Sequence, residues 1–194
     1  MEENERFLFV AGRLCLDFVN TEVLQAGQRV SLLSTGEDLL AWLGSAKLPP
    51  SALSAPLKEG LILRGALRSL AEALSQGQVA PHGTVAVIND VLQRSPGFSR
   101  IEPVAGEPGR YAEQTIASVT EPVHLLAPIA RDAAALLCHG DPSLVRQCEN
   151  PQCILFFYDT TKNHGRRWCR MTACGNRAKA AAHYRRVKDR APHA

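Results

Sequence analysis

Cys148-Glu149-Asn150-Pro151-Gln152-Cys153, then fifteen residues, then Cys169-Arg170-Met171-Thr172-Ala173-Cys174: this stretch decides how the chain is read. Two close cysteine pairs separated by a short loop are what a single tetrahedral ion requires. Each pair grips the metal from one turn, and the loop between them lets the turns face each other. Cys148, Cys153, Cys169 and Cys174 are therefore assigned to one structural Zn2+ per chain. Four thiolates complete the shell and leave no open position for catalysis. Pro151 stiffens the first turn, and Gly175, directly after the last cysteine, is expected to let backbone N–H groups approach the thiolates. Two disulfides are the rival arrangement. The N-terminus, Met1 to Arg13, has acids where a secretory signal needs bases, which predicts a cytoplasmic protein whose thiols stay reduced. An iron–sulfur cluster also uses four cysteines, but the paired spacing suits zinc better.

Outward from the cysteines the charge is lopsided. Lys162 to Arg190 holds ten Lys and Arg against the single acid Asp189, a net +9, whereas the remaining twelve bases and eighteen acids give −6. An acidic body with a basic C-terminal part predicts a polyanion partner. An ordinary solvated helix would interleave acids among its bases. Two or three of the cations are expected to offset the −2 charge of a four-thiolate zinc site. The rest, drawn from Lys162, Arg166, Arg167, Arg170, Arg177, Lys179, Arg185, Arg186 and Lys188, are the expected nucleic-acid contacts.

Between the pairs, Ile154 to Tyr158 is β-prone, Asp159 to Gly165 is a turn, and Arg166 to Trp168 is expected to return as the second arm of a β-hairpin. The alanine-rich stretch from Ala178 predicts a helix through about Lys188, with Asn176 or Thr172 as cap. Ala180, Tyr184 and Val187 form an apolar stripe at i, i+4 and i+7 that would pack on the hairpin, while Lys179, Arg186 and Arg190 lie on another face.

The first 140 residues read as mainly helical with a small strand element. Thr35-Gly36-Glu37-Asp38 starts a helix whose buried face is Leu39, Leu40, Trp42 and Leu43. Leu63, Leu67, Leu70 and Leu74 recur at helical spacing in a helix over 57–76 that Gly77 can end. Another helix is predicted over 84–93, a strand hairpin over 98–119, and an apolar core helix over 122–138. His139-Gly140-Asp141-Pro142 breaks the chain and sets the boundary between a 1–140 domain and a 141–194 zinc module. The fold class is thus α+β. No apolar run approaches the ~18 residues of a membrane span.

This N-terminal part carries no nucleophile elbow, phosphate loop or dinucleotide fingerprint, so no catalytic residues are assigned and no enzyme is expected. Asp17, Asn20 and Thr21 are read as turn and capping residues, and Cys15 and Cys138 as small buried hydrophobes. His82 and His124 have no ligand-like neighbour in sequence.

The segment from Cys148 to Arg186 resembles the CGNR zinc finger. The likeness rests on Phe157-Tyr158-Asp159, Lys162-Asn163, Arg166-Arg167-Trp168-Cys169, Met171 and Cys174-Gly175-Asn176-Arg177, with Thr161 where serine is usual. Leu16 to Thr21 and Leu39 to Leu43 resemble the N-terminal domain that accompanies this finger in stress-induced transcription regulators of bacteria. The resemblance implies zinc at the four cysteines and double-stranded DNA as partner. It implies a stress response and a cytoplasmic, nucleoid-associated site of action but no established effector for the N-terminal domain, which is expected to sense a small molecule or associate with itself. A homodimer would suit such a regulator, although no heptad marks one. RNA binding, or an enzyme in the N-terminal domain that uses the finger for docking, are the competing readings.

Overall fold

The computed structural model describes residues 6–48, 52–95, 97–103, 111–117 and 119–190, with side chains of 98–117 and 187–190 outside the described part. Six α-helices and three two-stranded antiparallel sheets make up the described residues. The order is α1 (Leu14–Val19), β1 (Glu22–Gln25), β2 (Gln28–Ser31), α2 (Gly36–Ser45), α3 (Leu57–Ser75), α4 (His82–Gln93), β3 (Gly97–Pro103), β4 (Tyr111–Ala117) and α5 (Ala127–His139). A short 3-10 turn, Pro142–Leu144, leads to β5 (Val145–Gln147), β6 (Phe156–Tyr158), a wide turn Met171–Gly175, and α6 (Asn176–Arg190).

Local chemistry accounts for the start of α2 and the end of α3. Thr35 caps α2 by accepting from the Asp38 amide, and the Asp38 carboxylate accepts in return from the Thr35 amide, a reciprocal capping box. Leu39, Trp42 and Leu43 are buried as expected, and Leu40 is partly so. Leu63, Leu67, Leu70 and Leu74 of α3 face the core, and Gly77 follows the helix at φ +70°. The expected 122–138 helix divides into a 3-10 turn, Pro122–Leu126, and α5. His124 in that turn is buried, with Nδ1 accepting from the Thr120 and Glu121 amides. Cys138 is a correction. Only Ala127, Ile129, Ala130, Ala133 and Leu136 face inward along α5, so Cys138 falls on the exposed side. Cys15 is buried in α1, where burial and the neighbouring Asp132 push its thiol well above the ordinary range and leave it unreactive.

The β1–β2 hairpin was not legible in the sequence. Its two turn residues, Ala26 and Gly27, both have positive φ, as a tight hairpin turn requires. Ala-Gly is a poor signal for that turn because Ala26 adopts it against its Cβ. The predicted 98–119 hairpin is present as β3–β4, and its expected turn at 105–109 lies outside the described residues.

The chain does turn at Gly140, where a Cβ would stand 2.7 Å from the Leu136 carbonyl oxygen and only glycine fits. Yet the two sides of that turn share one hydrophobic core. Phe156, Phe157, Val145 and three of the four paired cysteines belong to the same buried cluster as Leu16, Phe18, Trp42 and Leu67.

The join is made largely by polar groups on strand β6. Phe156 donates its amide to Asn20 Oδ1 and accepts from Asn20 Nδ2, both at 2.9 Å, so one side chain takes the place of a neighbouring strand. The Tyr158 amide donates to the Ala11 carbonyl at 2.7 Å. Arg68, buried on α3, reaches the Val19 and Ile154 carbonyls and pairs with Glu22 at 2.7 Å. Arg64, one turn earlier, donates to the Thr21 and Ser31 hydroxyls at 3.0 Å. Asn20 therefore does more than cap a turn: it ties the two halves together, while Thr21 holds Arg64 within the N-terminal half.

Asp17 Oδ1 accepts from the Val10 and Ala11 amides, both at 2.9 Å, and fixes the segment that receives Tyr158. Burial lifts this carboxyl to about 6, against the lowering effect of those two amides. Because its folded value lies above the ordinary 3.8, its stabilising effect is complete at low pH and is lost as pH rises through about 6. Asp17→Asn, which keeps the acceptor without the charge, is expected to flatten the decline in stability between about pH 4 and 6, as read from urea midpoints at the two pH values. Asn20→Leu should leave both Phe156 backbone groups buried and unpaired. At ~1–3 kcal/mol for each of the two orphaned groups it is expected to destabilise the fold by about 2–6 kcal/mol in urea unfolding.

Candidate metal centre and basic surface

The first cysteine pair sits at the tip of a hairpin. Cys148 follows β5 and Cys153 precedes β6, and the strands pair Val145 with Tyr158 and Gln147 with Phe156. The first arm is thus Val145–Gln147, and Arg166–Trp168, expected as the partner strand, forms no strand. Its backbone still approaches from the side, through the Glu149 amide bonded to the Arg167 carbonyl at 3.0 Å. That contact carries Cys169 over the hairpin tip.

The ligand atoms of all four cysteines lie within 4.8 Å of one another. A tetrahedron with Zn–S bonds of ~2.3 Å has edges of ~3.8 Å. The Cys153–Cys169 and Cys169–Cys174 sulfur separations are 3.7 and 3.6 Å, too long for disulfides and right for a shared ion. Four thiols this close cannot all ionise side by side without a cation. Hydrogen bonds among them drive Cys148 down, while the same contacts and burial drive Cys169 up and Cys153 up to about 12. A divalent ion removes that conflict by holding every sulfur as thiolate. The four cysteines are positioned to bind one zinc ion, and the closed, largely buried set is structural in character.

The groups around the sulfurs support this donor set. Asn150, buried, donates from Nδ2 to Cys174 Sγ at 3.2 Å, while its Oδ1 and backbone carbonyl accept from the Gln152 and Cys153 amides. The Cys169 amide donates to Cys148 Sγ at 3.4 Å. Gly175 plays a different part from the one expected. Its amide donates to the Arg170 carbonyl, not to sulfur, and a Cβ there would run into Met171 Sδ and come within 3.1 Å of the Trp168 ring. Asn150 was missed by sequence reading, and its place inside the first Cys-x4-Cys turn was the available signal.

The loop from Asp159 to Arg166 is held from within. Asp159 is fully buried and accepts from the Thr161 amide and hydroxyl and from the Arg166 amide. Burial alone would raise its carboxyl, yet those hydrogen bonds keep it below the ordinary range. Arg166 is a correction. Its guanidinium donates to the carbonyls of Val10, Trp168 and Cys169 and lies 4.2 Å from the centre of the Phe157 ring. It staples the finger to the N-terminal segment and is committed to the fold.

The other expected cations lie at the surface. Lys162, Arg167, Arg170, Arg177, Lys179, Arg185 and Arg186 are exposed. Arg167 also pairs with Glu149 at 2.5 Å and lies 5.0 Å from the Trp168 ring centre, and Arg185 Nε donates to the Ala181 carbonyl. Lys188 falls within α6, but its side chain lies outside the described part. The apolar stripe proposed for α6 does not pack on the hairpin: Ala180 is exposed and Tyr184 is 74% exposed. The helix packs mainly on the Met171–Gly175 turn that precedes it. Arg146, not foreseen, lines a cavity of about 480 Å³ with His164 and Arg167, which broadens the basic surface beyond the 162–190 segment.

A hairpin-tip pair and a loop pair of cysteines closed on one ion define a zinc-finger protein. Residues 145–187 match the CGNR zinc finger, and residues 12–140 match the ABATE family, described as "Putative stress-induced transcription regulator". The chain belongs to that family. Both descriptions are of a regulator and a metal-binding module, not of an enzyme. A comparison with curated proteins gives no match. Among the described residues no helix is long and apolar enough to cross a membrane.

Elemental analysis of the purified chain is expected to give about one zinc per chain. Asn150→Ala, which removes the donor to Cys174, should weaken zinc retention by about 10–100-fold in chelator competition.

Proposed function

We propose that this protein is a zinc-dependent DNA-binding transcription regulator. Its finger, within 141–194, contacts double-stranded DNA, and its 1–140 part senses an effector or associates with a second copy. The observation that carries the reading is the dense, nearly acid-free cationic surface on a metal-held scaffold: residues 162–190 carry a net +9. Arg166 and the charge of the thiolate cluster account for only part of this. Lys162, Arg167, Lys179, Arg185 and Arg186 have exposed side chains that can face a polyanion, with Arg170 exposed beside them.

The N-terminal part suits a regulatory role because it shares its core with the finger. A ligand or partner that shifts α1 or α3 alters Asn20 and Arg68, and through them the strand that leads out of the zinc site. Response to stress and a cytoplasmic, nucleoid-associated location follow from this reading.

The test is a salt titration of DNA affinity on the zinc-loaded chain. With Z phosphates neutralised, log affinity should fall against log salt with a slope of about −0.9Z, and Z of about four to six is expected from the exposed cations. Lys179→Ala and Arg186→Ala should each shallow that slope by about one unit at unchanged zinc content. Arg166→Ala is expected to act differently, lowering stability because three carbonyls lose their donor. A wild type whose binding to duplex DNA shows no salt dependence sinks the proposal.

A further inference from the structure

A groove of about 760 Å³ lies on the finger, beside the zinc-binding cysteines. Its lining combines two kinds of chemistry. Lys162, Asn163, Arg167 and Arg170 are exposed and polar, and three of them are cationic. Trp168, half-buried, and Met171, 47% exposed, supply an apolar face. A volume in the ~300–1,000 Å³ range of small-ligand sites is large enough for one nucleotide.

The phosphates of an intact duplex would satisfy the cations but offer nothing to the apolar face that Trp168 and Met171 present to the groove. Paired bases are stacked on each other and offer no free ring face. An unpaired nucleotide supplies both halves, a flat base for the apolar lining and flanking phosphates for the cations. Asn163 adds a donor and an acceptor that could meet a base edge. The apolar face is also held in place before any ligand arrives. The Trp168 carbonyl accepts from Arg166 Nε at 3.0 Å, and its ring packs close over Gly175, where a Cβ would come within 3.1 Å of it. Such preorganisation lowers the cost of binding.

We infer that this groove seats one unpaired nucleotide of DNA against Trp168, with Lys162, Arg167 and Arg170 on its flanking phosphates. The inference rests on the DNA-binding reading above and adds to it a preference for duplex carrying an unstacked base.

The chain contains two tryptophans, and Trp42 is fully buried in the core, so quenching by a bound nucleotide reports on Trp168. The zinc-loaded full chain is titrated with a plain DNA duplex, with the same duplex carrying one bulged nucleotide, and with the RNA counterpart of the bulged duplex. The bulged DNA is expected to bind about tenfold tighter than the plain duplex and to quench tryptophan emission. Trp168→Leu should abolish the preference, and Trp168→Phe should keep it, each at unchanged zinc content. Because emission after Trp168 replacement comes from buried Trp42, the Leu variant should also lose the quenching. Equal affinity for the two DNA duplexes, unchanged emission on binding, or tighter binding of the bulged RNA overturns the inference. Equal, salt-dependent binding of both duplexes overturns it alone, whereas no binding of any probe overturns the DNA reading as well.

Discussion

Four sulfurs within 4.8 Å of one another cannot all be thiolates unless a cation joins them, and much of the C-terminal architecture serves that arrangement. The β5–β6 hairpin brings Cys148 and Cys153 together, and the Glu149–Arg167 backbone contact carries Cys169 over them. The Met171–Gly175 turn then returns Cys174, which Asn150 holds from the first turn through its side-chain amide. So short a hairpin, with two strands of three residues each, would be marginal alone. The ion supplies closure that the strands lack.

The same hairpin is anchored on its other side. Strand β6 pairs with β5 and also receives the Asn20 amide, the Ala11 carbonyl and, through Ile154, the Arg68 guanidinium. Phe156 and Phe157 are fully buried in a core that continues into α1, α2 and α3. Finger and N-terminal part are consequently not two bodies joined by a linker. Arg166 strengthens the seam from the far side of the loop, since it reaches both the Val10 carbonyl and the backbone beside Cys169.

This arrangement divides the basic residues by position. Arg166 lies against Phe157 with its donors directed at carbonyls, and it works as part of the fold. Lys162, Arg167 and Arg170 line one groove, Arg146 and His164 line the neighbouring cavity with Arg167, and Lys179, Arg185 and Arg186 stand on a helix with little covering it. Arg167 has a carboxylate partner in Glu149, but both side chains are well exposed, so the pair contributes little stability and can yield to a phosphate.

The sequence by itself determined the metal ligands, because two Cys-x4-Cys pairs and a fifteen-residue spacer leave one simple closed solution. It also determined the helices whose signals are local: the Thr35–Asp38 capping box and the Leu63–Leu74 stripe require only neighbours in the chain. The charge asymmetry was equally plain. Tertiary structure alone decided which strand pairs with β6, since Phe156 could equally have met Arg166–Trp168 until burial of the two phenylalanines and the Asn20 contact fixed its edges. It decided that Asn20 bridges the halves and that Thr21 receives Arg64, because their partners lie far along the chain, at Phe156 and Arg64. It decided that Arg166 is structural and its neighbour Arg167 exposed, a difference that composition cannot express. The helix α6 shows the opposite limit. Its stripe of Ala180 and Tyr184 has the right period for burial, but a stripe is buried only where another element comes to cover it, and among the described residues none does.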